Sequence, residues 1–538
     1  MAGAVLGALV WQRLALGFGA LWLVPLAWGA TSVPLEAGAL MAGYYGAALS
    51  GSIVAITLFE GPWAGVPGWA TCTALLAAPW ALARAGHAGR RFPRAGAPLR
   101  YLATLVVVSL PPLGAIGMAS PWVAATASFP DTGVLGLGLA AVASAVLVIF
   151  GARVRAAVGL RPFGEWSLDR WAAAGAAVSL VLMAGTLLSP PKPHLPASFV
   201  AITTHNRESA GPPPLARVLR QNRELIARLS VDIAHKPPHT TFILPEDAVV
   251  HWSPFTASAW WPLALKAYRH HDTVALGVYM RPVGDTEKRD ALLLMGRHAG
   301  LVTARQPMPL TEWRPLPDSG TRAHWMRLGP TRAFGPPVAV LICYEQLLVW
   351  PVAEDFLGST RPQVLIGVSD HWWVEPGTLD ATEARMQAQV LRAWGRLYGV
   401  PVILADNRPY GLAYRKTVKR QDSVVRPNVH QKSSTIDGLN HNPDKVRTKY
   451  GQNTDKDSEP MTREPKKLPK KEAIRTKYGQ NTDKIRTSQK KLGGWTHWRP
   501  YGSSAASSKT YRIMALPYPP SPRTYPRSPR THTPKAPQ

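Results

Sequence analysis

Acidic and thiol side chains stand just past the ends of apolar, strand-like segments of the sequence. Cys343 closes the apolar run 338–342, and Glu345 follows it two residues later. Glu246 comes just after another strand-like segment, and Glu312 lies in a loop between apolar elements. Sites in open α/β sheets form at the carboxyl ends of strands. A cysteine placed there beside a base can act as a nucleophile. The alternative is a buried structural thiol.

Three aromatic residues accompany this set. Tyr344 follows the cysteine directly, and Trp372 and Trp373 follow a further strand-like run. They are candidates for lining an acyl or peptide pocket. The alternative for the tryptophans is packing in the core or against a membrane.

Other kinds of catalytic site receive little support. The run His270–Asp272 has no spaced Cys or His partners, which favours a solvated loop over a metal site. The sequence contains no Gly-x-Ser-x-Gly elbow and no Gly-x4-Gly-Lys phosphate loop, so a serine hydrolase and an ATP-driven role are not supported. We therefore expect neither a metal nor a cofactor.

Residues 197–410 have the pattern of a globular α/β domain. Strands that alternate with helices are typical of that class. Strand-like runs occupy 198–204, 240–245, 272–280, 291–295, 338–342, 364–368 and 400–405, with helical patterns at 215–229 and 379–398.

Residues 1–190 have the pattern of a membrane domain. Apolar stretches near 14–30, 38–58, 64–83, 101–119, 133–151 and 171–189 each approach the length that a bilayer core demands. They are rich in small residues, which let helices pack closely in lipid. We therefore predict about six spans. The alternatives are a buried helical bundle in a soluble protein and, for the first stretch, a signal peptide.

Arginine placement predicts the orientation. The segment after the third stretch holds Arg84, Arg90, Arg91, Arg94 and Arg100, and the segment after the fifth holds Arg153, Arg155, Arg161 and Arg170. The positive-inside rule puts both segments in the cytoplasm, which leaves the α/β domain outside it. We therefore predict a multi-pass inner-membrane protein with an extracytoplasmic domain.

Residues 191–196 are a proline-rich linker, and residues 411–538 form a basic tail. The whole chain of 538 residues has a net charge of +28, and it has only two cysteines, which excludes a disulfide scaffold. The tail is poor in apolar runs and repeats one decapeptide at 447–456 and 475–484, so we predict that it is disordered. Binding to nucleic acid is one interpretation of its charge. A frame change in the gene is the interpretation we favour.

The ordered set of motifs resembles the nitrilase (carbon–nitrogen hydrolase) superfamily. It is most similar to the branch in which polytopic membrane helices precede the nitrilase domain, as in apolipoprotein N-acyltransferases. Within that branch it resembles proteins of plasmid conjugal transfer. The Pro-Glu at 245–246, the Cys-Tyr-Glu at 343–345 and the helix beginning near Arg385 carry the resemblance, which covers about residues 1–410.

The resemblance implies an αββα sandwich with a Glu–Lys–Cys triad. Glu246 matches the general base, and Cys343 matches the nucleophile that forms a thioester. Glu345 matches the acidic residue beside the nucleophile, and Glu312 matches a second glutamate that orients the site. The family's lysine, which stabilises the oxyanion, falls on Ala304 here.

The chain departs from this pattern in two places. Arg305 stands beside the lysine position and can supply charge, but it cannot release a proton; the alternative is an ordinary surface arginine. The globular pattern also stops near Tyr410, earlier than in most nitrilase domains, which predicts a truncated sandwich.

The resemblance implies Cys-dependent acyl transfer or amide hydrolysis outside the cytoplasm, in plasmid conjugation. The expected partners are a membrane lipid or membrane-tethered acyl substrate and proteins of the conjugation apparatus. The alternative is a catalytically inactive membrane component of that apparatus.

Overall fold

The computed structural model describes residues 1–12, 17–85, 96–159, 170–184, 196, 198–205, 215–280, 289–309, 312–313, 323–374 and 379–408. The predicted linker, except Pro196, lies outside these residues. So do the predicted basic tail at 411–538 with its repeats, and the arginines at 90, 91, 94 and 161.

Apolar helices dominate the first part of the chain, as the sequence predicts. Two of them, Gly65–Ala85 and Val134–Ala156, are long and apolar enough to cross a membrane, and a bent pair at 34–60 makes up to three within the described residues. The helices are α1 (Ala2–Gly7), α2 (Leu23–Gly29), α3 (Pro34–Ala48), α4 (Ser52–Glu60), α5 (Gly65–Ala85), α6 (Gly96–Val107), α7 (Ala124–Ser128), α8 (Val134–Gly159) and α9 (Arg170–Ala184).

The stretch predicted as a span at 101–119 shows why a length of apolar sequence overestimates helix length. Helix α6 ends at Val107, and a short 3-10 helix follows only at Leu113–Ala115. Pro111 and Pro112 lie between the two and lack the N–H groups that would extend the helix. Among the described residues, two helices, or three spans with the bent pair, are long and apolar enough to cross a membrane, against the six stretches predicted.

One arginine from each of the two predicted cytoplasmic segments contacts the same end of the bundle. Arg84, at the end of α5, donates to the Trp28 carbonyl at 2.6 Å. Arg155, near the end of α8, pairs with Glu36 at 2.8 Å. Both therefore gather around the chain segment that joins α2 to α3.

The later domain contacts the opposite end of the same helices. Gly133, which immediately precedes α8, donates its N–H to the Leu397 carbonyl at 2.8 Å. The Trp350 indole donates to the Gly114 carbonyl at 3.2 Å. Helix α8 thus runs from the α/β residues to the arginine-bearing end.

The later domain contains two sheets within the described residues. The larger sheet has the order β1-β2-β4-β5-β6 with β3 also paired to β4, and the smaller has the parallel order β7-β8-β9. The strands are β1 (Phe199–Ala201), β2 (Thr241–Ile243), β3 (Val249–Trp252), β4 (Thr273–Met280), β5 (Arg289–Gly296), β6 (Gly300–Thr303), β7 (Val338–Ile342), β8 (Val364–Asp370) and β9 (Val402–Asn407).

The two sheets pack face to face between layers of helices. Ile243 of the larger sheet and Val340 and Ile366 of the smaller share one apolar core. The outer face of the larger sheet packs against α10 (Leu215–His235) and α11 (Pro254–Arg269). The outer face of the smaller sheet packs with α12 (Val349–Leu357), α13 (Leu379–Tyr398) and the apolar bundle.

The strand and helix predictions at 198–405 are confirmed at each predicted position, and the helix at 379–398 has the predicted bounds. The sequence did not predict β3, β6, α11 or α12. Helix α11 carries an internal Pro262, and α12 is a short run with Pro351 inside it, which hides their periodicity.

Candidate active site

A break between β2 and β3 in the larger sheet positions Glu246. The chain leaves β4 after β2, turns through Asp247 with a φ of +50°, and pairs with β4 again as β3. A Cβ on Gly277 of β4 would lie 1.9 Å from the Pro245 carbonyl oxygen and 2.7 Å from the Glu246 Cα. A glycine at 277 is what lets this turn press against the sheet, with the Glu246 side chain buried.

A sharp turn at the end of β7 positions Cys343. Its φ is +46°, a left-handed conformation that costs a non-glycine residue about 1–2 kcal/mol. A short 3-10 helix, Cys343–Leu347, begins at once. The side chain of Gln387 on α13 holds the turn by donating to the Cys343 carbonyl at 2.6 Å.

The structure brings Cys343 and Glu246 together. Burial raises the pKa of the Cys343 thiol, Glu312 raises it further, and a hydrogen bond with Glu246 acts in the opposite direction. Burial, followed by the neighbouring thiol and Asp290, raises the pKa of Glu246. The Glu246 carboxyl also accepts the Asp370 N–H at 2.9 Å. The thiol therefore has a partner whose affinity for a proton is high.

Three further carboxyls surround the pair. Glu312 accepts the Met308 N–H at 3.0 Å, and burial raises its pKa. Asp370, at the end of β8, accepts from the Asn407 side chain at 2.8 Å. Asp290, on β5, is buried and interacts with Glu246, and burial together with Glu312 raises its pKa. The strongest charge effects on the pKa of Cys343 in the described part of the chain come from such carboxyls.

Asp290 was missed in the sequence. It is the second residue of β5 and precedes an apolar run, so its position looks like an ordinary strand start. Only the pairing of β5 with β4 brings it beside Glu246. The sequence alone does not distinguish a buried carboxyl at a strand start from an exposed carboxyl there.

Glu345 fastens the loop at 305–306 to the end of β7. One carboxyl oxygen accepts the N–H groups of Arg305 and Gln306, the latter at 2.9 Å, and the other accepts the Ile342 N–H at 2.9 Å. Burial raises the pKa of Glu345 to about 6, against the opposing effects of Arg305 and these N–H groups. Both oxygens are engaged by the backbone.

Arg305 is buried, so the surface alternative is wrong. Its guanidinium forms an ion pair with Asp355 on α12 and lies 3.6 Å from a Glu354 oxygen. It also donates to the Pro351 carbonyl at 3.3 Å. The positive charge is thus held by α12, and the backbone N–H of Arg305 is the group that reaches Glu345.

The three predicted pocket aromatics contact helices. The Tyr344 hydroxyl donates to the Ala115 carbonyl at 2.9 Å. The Trp372 ring meets Phe59 of α4 edge-on, with centroids 6.4 Å apart. Trp373 packs beside Val374 and Ala384. Tyr344 and Trp372 therefore join the α/β domain to the apolar bundle.

No group of three or more His, Cys, Asp or Glu side chains suited to a metal ion occurs among the residues that the structure describes. Of the predicted run 270–272, His270 pairs with Asp272 at 2.7 Å.

No protein-family model matches the chain. It is 30% identical over 414 residues to a conjugal transfer protein TraB of Agrobacterium fabrum, covering 74% of this chain and 90% of the relative. It is 26% identical over 416 residues to a probable conjugal transfer protein TraB of Sinorhizobium fredii, covering 76% of this chain and 97% of the relative. Among solved structures, a carbon–nitrogen hydrolase from Helicobacter pylori is a distant neighbour, with 11% identity, a TM-score of 0.27, and coverage of 36% of this chain and 69% of that one.

Proposed function

The chain belongs to the conjugal transfer protein TraB family, and from this we propose that it is a membrane-anchored component of plasmid conjugation that transfers or hydrolyses an acyl group through Cys343. The observation that carries the chemical part is the placement of the Cys343 thiol beside the Glu246 carboxyl, inside a cluster of carboxyls.

Cys343 and Glu246 supply the nucleophile and the base of the proposed chemistry. The Glu246 carboxylate takes the thiol proton while the sulfur attacks an ester or amide carbonyl. The tetrahedral intermediate expels the alcohol or amine, which receives that proton, and a thioester on Cys343 remains. An amine or water then attacks the thioester and gives a proton to the Glu246 carboxylate, and the sulfur leaves with that proton as the thiol. Burial suits Glu246 to this work because a raised pKa makes a carboxylate a stronger base.

The proposed setting is the inner membrane, with the α/β domain outside the cytoplasm. The arginine-bearing end of the apolar bundle supports this, since Arg84 and Arg155 lie at the end opposite the sheets. A membrane-tethered or lipid acyl donor, as in apolipoprotein N-acyltransferases, fits a site whose flanking Tyr344 and Trp372 contact the bundle.

The test is replacement of Cys343 in the full chain, with conjugation frequency as the readout. We expect Cys343→Ala to lower transfer by about two orders of magnitude or more, as loss of a nucleophile does. Cys72→Ala is the matched control, because it removes the other cysteine of the chain, which lies on α5 in the apolar bundle. Normal transfer by Cys343→Ala, with unchanged labelling by a thiol probe, would refute the enzymatic proposal.

One observation favours the inactive alternative. The guanidinium of Arg305, which stands beside the family's lysine position, is paired with Asp355 and Glu354. In that alternative the fold serves conjugation as a binding component. It requires a normal conjugation frequency in Cys343→Ala and a reduced conjugation frequency in variants that disturb packing.

A further inference from the structure

His371 is a buried residue next to the carboxyl ends of β8 and β9. It follows directly after β8, and only 3% of its surface is exposed. Its Nδ1 lies 2.7 Å from an Asp406 carboxyl oxygen, and its Nε2 lies 3.0 Å from the Gln387 side-chain oxygen.

The contacts of Gln387 determine which protons His371 carries. The Gln387 nitrogen meets the Cys343 carbonyl at 2.6 Å, and a carbonyl can only accept, so this end of the amide donates. The amide oxygen therefore faces His371 and requires an N–H at Nε2. The Asp406 carboxylate requires a second N–H at Nδ1. Both contacts are satisfied together when both ring nitrogens carry a proton, as in an imidazolium.

The charges around His371 agree with this assignment. Burial lowers the pKa of His371, but Asp406, the hydrogen bond to Gln387 and the nearby Asp370 raise it, and the net direction is upward. Arg408 approaches the other Asp406 oxygen at 3.4 Å. Asp370 links this group to the site, because its N–H donates to Glu246.

The network thus runs from Asp406 through His371 and Gln387 to the backbone of the strained cysteine. Gln387 also donates to the Ser369 hydroxyl at 3.1 Å, which fixes the amide from a second side. A rigid amide is needed at this point because the left-handed Cys343 conformation requires support from its surroundings.

We propose that His371 is a positioning residue: as an imidazolium it locks Gln387 onto the Cys343 carbonyl, and its charge offsets the carboxyls around the thiol. This inference rests on the proposed role of Cys343 as a nucleophile. It supplies a positive charge near the site that does not depend on a lysine or on Arg305.

The test measures alkylation of Cys343 by iodoacetamide as a function of pH. The full chain in its membrane carries Cys72→Ala, so that Cys343 is the single thiol. We expect His371→Gln to shift the midpoint of the alkylation profile upward by about one pH unit, which is about tenfold slower labelling at a fixed pH. Gln387→Met nearly conserves volume and removes the amide that joins His371 to the Cys343 carbonyl. The double variant, His371→Gln with Gln387→Met, should behave like His371→Gln alone.

His270→Gln is the matched control, since His270 also pairs with an aspartate at 2.7 Å but stands before β4, on another part of the domain. It should leave the profile unchanged. An unchanged profile in whichever of His371→Gln and Gln387→Met accumulates in the membrane overturns the inference. That result leaves the proposed function standing, which fails only if Cys343→Ala transfers normally.

Discussion

Gly277→Ala should disable the site by displacing the turn that carries Glu246. The added Cβ would lie 1.9 Å from the Pro245 carbonyl oxygen, whereas an ordinary contact begins at 3.4 Å. The turn that carries Glu246 must therefore withdraw by about 1.5 Å, because the obstacle is backbone and cannot rotate away.

The size of the effect follows from that displacement. A misplacement of about 1 Å in a catalytic group can cost about 100-fold in rate. Overpacking a well-filled core costs about 1–3 kcal/mol of stability, which a folded domain can survive. We therefore expect Gly277→Ala to accumulate in the membrane, with Cys343-dependent transfer reduced by about 100-fold.

Conjugation frequency, normalised to the amount of protein in the membrane, measures this effect. Gly138→Ala on α8 is the matched control, since a Cβ at 138 meets nothing within 4 Å. A wild-type conjugation frequency in Gly277→Ala at normal protein levels would refute the claim that the close packing of the Glu246 turn on β4 is needed for activity.

Two further outcomes concern buried charge. Asp355→Ala removes the carboxylate that pairs with buried Arg305, so we expect a loss of about 3–5 kcal/mol and a lower midpoint in thermal unfolding of the detergent-solubilised protein; an unchanged midpoint would contradict the pairing. The pKa of Glu345 is raised from 4.5 to about 6, so folding takes up a proton in this window and stability falls as the pH rises through it, by about 2 kcal/mol. Thermal midpoints between pH 4.5 and 7 should show this slope, and an equal slope in Glu345→Gln would contradict its assignment to Glu345.

The sequence located the residues that sit at strand ends, because strand ends are visible as the end of an apolar run. Cys343 and Glu246 were predicted in this way, and the face-to-face packing of the two sheets then brings them together. The destination of a long side chain is set by tertiary packing. Arg305 turns to α12, and the Tyr344 hydroxyl turns to Ala115, contacts that no local pattern encodes.

The sequence also failed to predict the buried polar partners of the site. Asp290 and His371 each occupy a position that local sequence treats as an ordinary strand start or turn. Their importance comes from neighbours far along the chain, such as Glu246 and Asp406. In the bundle, hydropathy located apolar segments but not their ends, which depend on residues such as Pro111.

The measurement that bears most directly on the central claim compares conjugation by Cys343→Ala, Glu246→Gln and the double variant, each at wild-type protein levels. If thiol and carboxylate act as one catalytic unit, each single change lowers transfer to the same floor and the double change lowers it no further. Wild-type transfer by Glu246→Gln, or losses that multiply in the double variant, would contradict the pairing.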